Sequence, residues 1–251
     1  MKSYPKDMKG DFGNMIKKTF MFSLLLNSLV AVATDNEIYV DQSGANSSID
    51  LEQLGSSNMI GGLNSSSGSL VAFDLDGGTM VLDINQLGDS NKFLGDIFAD
   101  NSTGFFEFNG DTNLFTIQID PTDTYSADSS NWNVDVSGNT NTFTLNQGTA
   151  ALAEQLDLDW LINGSGNTMS FNIDIDGATS YVDLDGDDNT ITYDGDGYAG
   201  GYFYLDSTGD DGQFNIQQQS TLALDYLKII QTGNNANVCI IQSDSGTQTS
   251  C

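Results

Sequence analysis

Apolar and polar residues alternate along most of the chain in short runs, and glycine-containing turns interrupt the runs. Around Gly164 the chain gives Leu158, Trp160 and Ile162 before the turn, then Asn167, Met169, Phe171, Ile173 and Ile175 after it, all on one parity. The other parity carries Asp157, Asp159, Asn172, Asp174 and Asp176. A period of two with one dry and one wet side predicts a β-strand on each side of the turn.

The turn recurs as G-x-x-N at Gly55-Asn58, Gly88-Asn91, Gly110-Asn113, Gly138-Asn141, Gly164-Asn167, Gly186-Asn189 and Gly212-Asn215, with a degenerate copy from Gly233. Gly and Asn both tolerate positive φ, so the signature predicts a tight turn. Strand parity keeps one phase relative to it. Trp132, Val134 and Val136 precede Gly138 as Val182 and Leu184 precede Gly186, and Asn141, Phe143 and Leu145 follow as Asn189, Ile191 and Tyr193 do. The Gly212 unit departs, because Phe214, Ile216 and Gln218 fall on the other parity, and a slip or bulge is expected there.

One strand–turn–strand unit cannot bury its own apolar side, whereas stacked units can. The predicted fold is therefore all-β: a β-solenoid of repeats of about 21–28 residues, with roughly nine rungs over residues 34–251. An antiparallel sandwich would account for alternation and turns but not for the fixed phase. The stretch TAALAEQL, Thr149 to Leu156, has helical character and is expected to be an insertion or a loop, and residues 61–69, rich in Ser, Gly and Asn, to be a mobile loop.

The N-terminus has a different pattern. Lys17 and Lys18 precede an apolar run from Phe20 to Val32 that ends in the A-x-A pattern Ala31-Val32-Ala33. Residues 1–33 therefore read as an N-terminal extension and a cleaved secretion signal, with Met15 a candidate start. The run is short for a membrane span, so no membrane insertion is expected after cleavage. The expected location is secreted, extracellular or at the cell surface.

Composition narrows the chemistry. The 251 residues include 35 Asp and Glu, 7 Lys, no Arg and no His, and the formal net charge is -28. Without a basic stripe no nucleic-acid partner is expected. The lack of His excludes Ser-His-Asp and Cys-His catalysis and the common zinc sites. Carboxylate pairs suffice for glycoside hydrolysis, but nothing singles out one pair, and no enzyme is expected. Of the 35 acids 31 are Asp, and Asp183, Asp185, Asp187, Asp188, Asp194 and Asp196 lie in the densest segment, DLDGDDNTITYDGDG. Oxygen ligands on Gly-rich turns suit calcium, so these six are the candidate metal ligands, with a solvated acidic surface as the plainer alternative. Tyr198, Tyr202, Phe203 and Tyr204 form an aromatic segment that suits stacking on a surface glycan or packing within the coil. Cys239 and Cys251 are the two cysteines, and export permits a disulfide between them.

Three units carry a fuller pattern. Gln53-x-Gly55-x-x-Asn58 and Gln86-x-Gly88-x-x-Asn91 share one form, Gln42-x-Gly44 precedes Gln53 by eleven residues, and Gln231-x-Gly233 is followed by Gln242 at the same distance. This resembles the curlin repeat, Q-x-G-x-x-N with a second Q eleven residues after the first, over residues 38–97 and 226–244. Curlins are secreted subunits and nucleators of curli, the bacterial extracellular amyloid fibres. The resemblance implies a homo-oligomer or a related curlin-like subunit as partner, fibre assembly for adhesion or a biofilm matrix, and Gln42, Gln53, Asn58, Gln86, Asn91, Gln231 and Gln242 as ladder residues. Between the two regions Phe108, Val136, Ile162 and Leu184 replace Gln, which breaks the ladder in the middle.

Overall fold

The alternating strands bury their apolar parity by coiling. In the computed structural model each unit places one strand in a front sheet, turns through its glycine corner, and places the next in a back sheet. The structure describes residues 30–32, 37–63, 70–71, 73–119, 129–147, 157–174, 177–197, 201–220 and 226–243. The front sheet stacks Val30–Val32, Ser48–Leu54, Val81–Leu87, Thr103–Asn109, Asn131–Ser137, Asp157–Asn163, Thr179–Asp185, Tyr202–Thr208 and Tyr226–Thr232, each parallel to the next. The back sheet stacks Lys92–Asp100, Leu114–Ile119, Thr142–Gln147, Thr168–Asp174, Thr190–Gly197, Gln213–Ser220 and Asn237–Ser243 in the same way. Among the described residues no helix is present. The protein is a parallel β-solenoid of about seven turns, measured from Gly55 to Gly233.

Early in the coil the back sheet is interrupted. Met59–Ile60 and Phe73–Gly78 together occupy one strand position beside Lys92–Asp100, and the chain between them leaves as a hairpin in which Gly62–Leu63 pairs antiparallel with Leu70–Val71. The loop expected at 61–69 thus begins as a strand, and residues 64–69 lie outside the described part, as do Thr149 to Leu156.

Inward residues of both sheets meet in one core. Phe108 stacks on Phe115 with ring centroids 3.8 Å apart, Phe115 on Phe143 at 4.9 Å, and Trp160 meets Phe171 edge-on at 4.9 Å. Such pairs add about 0.5–1.5 kcal/mol each beyond their buried area. Size is matched between rungs. A Cβ on Gly104 would strike the ring of Trp132 in the adjacent rung, so glycine leaves room for the indole.

The slip expected at Gly212 is absent. The turn glycine of that unit is Gly209, with φ +151°, and Gly212 occupies the place taken by Asn in the units from Gly55 to Gly186. Phe214, Ile216 and Gln218 then pair with Ile191, Tyr193 and Gly195 in uninterrupted register, and all three are buried. Two glycines three residues apart gave the signature two possible frames, and the frame that buries the phenylalanine is adopted.

Candidate functional site

A solenoid of repeats exposes columns, so its candidate functional residues are ladders and outward faces rather than one pocket. The first ladder runs inside the glycine corner. The Asn58 N–H donates to Asn91 Oδ1 at 2.9 Å, Asn91 to Asn113 at 2.7 Å, Asn113 to Asn141 at 2.7 Å, Asn141 to Asn167 at 2.8 Å and Asn167 to Asn189 at 2.8 Å. All six asparagines are buried. The asparagine ladder is therefore continuous from Asn58 to Asn189, and the break expected in mid-chain concerns glutamine alone. None of the six has positive φ. That conformation falls on the glycine and on the residue before the asparagine, such as Ser90 (φ 59°), Thr140 (φ 56°) and Asp188 (φ 58°). Asparagine is required here for its side-chain acceptor, not for its backbone freedom.

A second ladder flanks the first on the solvent side, at the residue after each glycine. Asp89 Oδ1 accepts the Asp111 N–H at 2.8 Å, Asp111 Oδ1 that of Asn139 at 2.6 Å, Asn139 Oδ1 that of Ser165 at 2.8 Å, Ser165 Oγ that of Asp187 at 3.0 Å, Asp187 Oδ1 that of Asp210 at 2.7 Å and Asp210 Oδ1 that of Asn234 at 2.6 Å. Here each side chain accepts from the following rung, whereas in the inner ladder it accepts from the preceding one. Sequence reasoning missed this ladder, although its signal is present: the residue after every corner glycine from Gly55 to Gly233 is Ser, Asp or Asn.

The glutamines named above occupy two columns. Gln53, Gln86 and Gln231 share the front column just before the corner, where Gln86 Nε2 donates to Gln53 Oε1 at 2.7 Å and Gln231 Nε2 to the Gly209 carbonyl at 2.9 Å. Gln42 and Gln242 share a back-sheet column with the buried Gln147 and Gln218. Gln42 is half-buried and Gln242 exposed. Asn58 and Asn91 belong to the inner corner ladder.

The six candidate calcium ligands do not converge. Asp183 and Asp185 face outward on the front sheet, Asp187 holds the outer corner ladder, Asp188 sits at the corner, and Asp194 and Asp196 lie on the back sheet. Among the described residues no group of three or more His, Cys, Asp or Glu side chains comes together as a metal-binding set. Burial, then Asp196, push the Asp194 carboxyl above its ordinary range, against a 3.0 Å hydrogen bond from Gln217 Nε2. Cys239 is disulfide-bonded, and the chain's other cysteine, Cys251, lies outside the described residues.

The aromatic segment divides between core and surface. Phe203 is buried, Tyr198 lies outside the described residues, and Tyr202 and Tyr204 face outward on the front sheet. There they join Tyr181 and Tyr226, which are 44% and 55% exposed. Tyr202 stacks on Tyr226 at 4.9 Å, Tyr181 lies 5.5 Å from Tyr202 and 5.6 Å from Tyr204, and Lys228 Nζ sits 4.7 Å above the Tyr204 ring. Partial desolvation and neighbouring groups push the Tyr202 and Tyr204 phenols upward, so both remain protonated at neutral pH.

No protein-family model matches the chain, and neither a characterised protein nor a solved structure does.

Proposed function

We propose that the protein is a secreted, curlin-like structural subunit that stacks end to end into extracellular fibres for adhesion or a biofilm matrix. The observation that carries this reading is the last rung. In the rung before it Phe214 and Ile216 are buried, whereas Val238 and Ile240 in the same columns are 39% and 49% exposed. Tyr226–Thr232 and Asn237–Ser243 are also the terminal strands of their sheets. Residues 226–243 contain no carboxylate and one lysine, in a chain of net charge -28. Among the described residues the end that would accept another copy is thus open, apolar and free of the repulsion that dominates the rest. The opposite end carries Glu37, Asp41, Asp50 and Glu52, so stacking end to end sets acids against a rung that has none. Val30–Val32 borders Ser48–Leu54, and cleavage after Ala33 would free that edge for pairing once the chain is exported.

The test is electron microscopy and light scattering of the purified protein over days, with and without calcium. Unbranched fibres are expected from the wild type, and Ile240→Asp is expected to keep the folded circular dichroism signal while losing fibre growth. A wild-type protein that stays monomeric at high concentration in both conditions overturns the reading.

Glycan binding is the second reading, favoured by the four outward tyrosines flanked by Asp183 and Asp206. It requires that Tyr181→Ala with Tyr226→Ala abolish retention on a polysaccharide column.

A further inference from the structure

The two outward faces of the solenoid differ in a way the fold does not demand. On the back sheet the first two outward columns begin with Lys92 and Leu94 and continue with Leu114 and Thr116, Thr142 and Thr144, Thr168 and Ser170, Thr190 and Thr192, Gln213 and Asn215, Asn237 and Cys239. Past the Lys92 rung none of the twelve positions is charged, in a chain with 35 carboxylates. On the front sheet the same rungs carry Glu107, Asp135, Asp157, Asp159, Asp183 and Asp206. Threonine is favoured in any strand. Propensity alone would place it on both sheets, yet the three front strands opposite the hydroxyl-bearing rungs Thr142–Gln147, Thr168–Asp174 and Thr190–Gly197 have one outward threonine, Thr179.

The hydroxyls are regularly placed and unused. Thr142, Thr144, Thr168, Ser170, Thr190 and Thr192 hold one register across three consecutive rungs. The net they form has sides of about 4.8 Å between rungs and about 6.7 Å along a strand. All six are exposed or half-buried, and among the described residues none of their hydroxyls hydrogen-bonds to another protein group. A shallow groove of about 250 Å³ continues between the columns past Thr190, Thr192, Gln213, Asn215 and Asn237. The corner ladders fix the rung spacing, so the net is rigid.

We propose that this back face binds ice, as an ordered lattice of neutral water. The sides of the net are close to oxygen repeats of hexagonal ice, the hydroxyls offer donors and acceptors at lattice points, and the threonine methyls leave troughs that hold water in place. The lack of charge in these two columns past Lys92 fits a neutral lattice, and the acid nearest to them in the same rungs, Asp194, stands one outward position further along its strand. Other occupants fit less well. The face has no aromatic ring on which a sugar would stack. Its three hydroxyl-bearing rungs span on the order of 200 Å², against about 800 Å² per partner in a stable protein interface. A crystal surface does not need that area, because ice growing around the bound protein opposes its release.

The experiment freezes the full-length protein in dilute buffer and follows ice recrystallisation and crystal shape by cold-stage microscopy. The wild type is expected to keep crystals small and to produce faceted edges. Thr168→Lys with Thr190→Lys should lose both effects while melting as the wild type does, and the front-face control Asp159→Lys should keep them. Crystals that coarsen as in buffer alone, or an effect that survives the threonine substitutions, overturn the proposal. So does sedimentation showing that the threonine substitutions abolish a wild-type dimer, since the face would then be an interface between copies.

Discussion

The two corners of the coil perform the same turn under different constraints. The glycine corner has one length throughout, and two side-chain ladders of opposite direction pin it, the inner one asparagine and the outer one Ser, Asp or Asn. The second corner, which returns the chain from back to front, places Ser47, Met80, Ser102, Ser130, Ala178 and Gly201 in one position. Two side-chain bonds form a ladder there, Met80 N–H to Ser102 Oγ at 2.9 Å and Ser102 N–H to Ser130 Oγ at 3.1 Å. The second corner also absorbs length. From the end of one back strand to the start of the next front strand the chain uses anything from Asp100–Thr103 to Ile119–Asn131. One corner sets the phase of the coil, and the other takes its irregularity.

The sharpest way to break this contrast is at a corner glycine. Gly138 has φ +141°, and a Cβ there would fall on the carbonyl oxygen of Gly110 in the adjacent rung. Gly138→Ala therefore combines left-handed strain with a backbone clash, and a loss of at least about 3 kcal/mol in urea unfolding is expected. A loss under 1 kcal/mol would mean that the corner is not the rigid element.

A smaller effect follows from the ladder itself. Asn141→Ala removes the acceptor of the Asn113 N–H deep in the corner, with an expected cost of about 2 kcal/mol. Ser102→Ala orphans the Met80 N–H at the looser corner, and about 1 kcal/mol is expected because local relaxation can re-satisfy it. Equal costs in the two variants would remove the distinction between the corners.

This asymmetry explains what could be read in the sequence. The glycine corner repeats in residue type, so G-x-x-N and the strand parity reveal the coil and the inward faces, including the buried Trp132, Phe143 and Ile191. The second corner repeats only in small size and backbone shape, with Met80 an exception even to size, so no residue pattern betrays it. Gly209 and Gly212 misled because glycine stands at both the turn position and the asparagine position, and their order is settled by packing. The six aspartates of the densest acidic segment do not converge for a related reason: alternation sends neighbouring aspartates of one strand the same way, but the corner sends Asp183 and Asp194 to opposite sheets.

The smallest expected effect tests how the two sides of the coil treat stacked carboxylates. At the glycine corner Asp89 and Asp111 are each held by an N–H of the next rung. On the back sheet Asp41, Asp74 and Asp96 stack in register, and the Asp96 Oδ1 atom is buried without a hydrogen bond. Burial, then the Asp74 charge, push the Asp96 carboxyl up to about 6 from its ordinary 3.8. Burial, then Asp41 and Asp76, push Asp74 in the same direction. Between those two values the folded chain binds more protons at Asp96 than the unfolded chain does. Its contribution to stability therefore falls as pH rises through that window and stays lost above it. Asp96→Asn should raise the melting temperature at pH 7 and flatten its rise between about pH 6 and pH 4. Other carboxylates will tilt both curves alike, so the difference between wild type and variant is the quantity to follow. Parallel curves would mean that Asp96 is as well accommodated as its counterparts at the glycine corner.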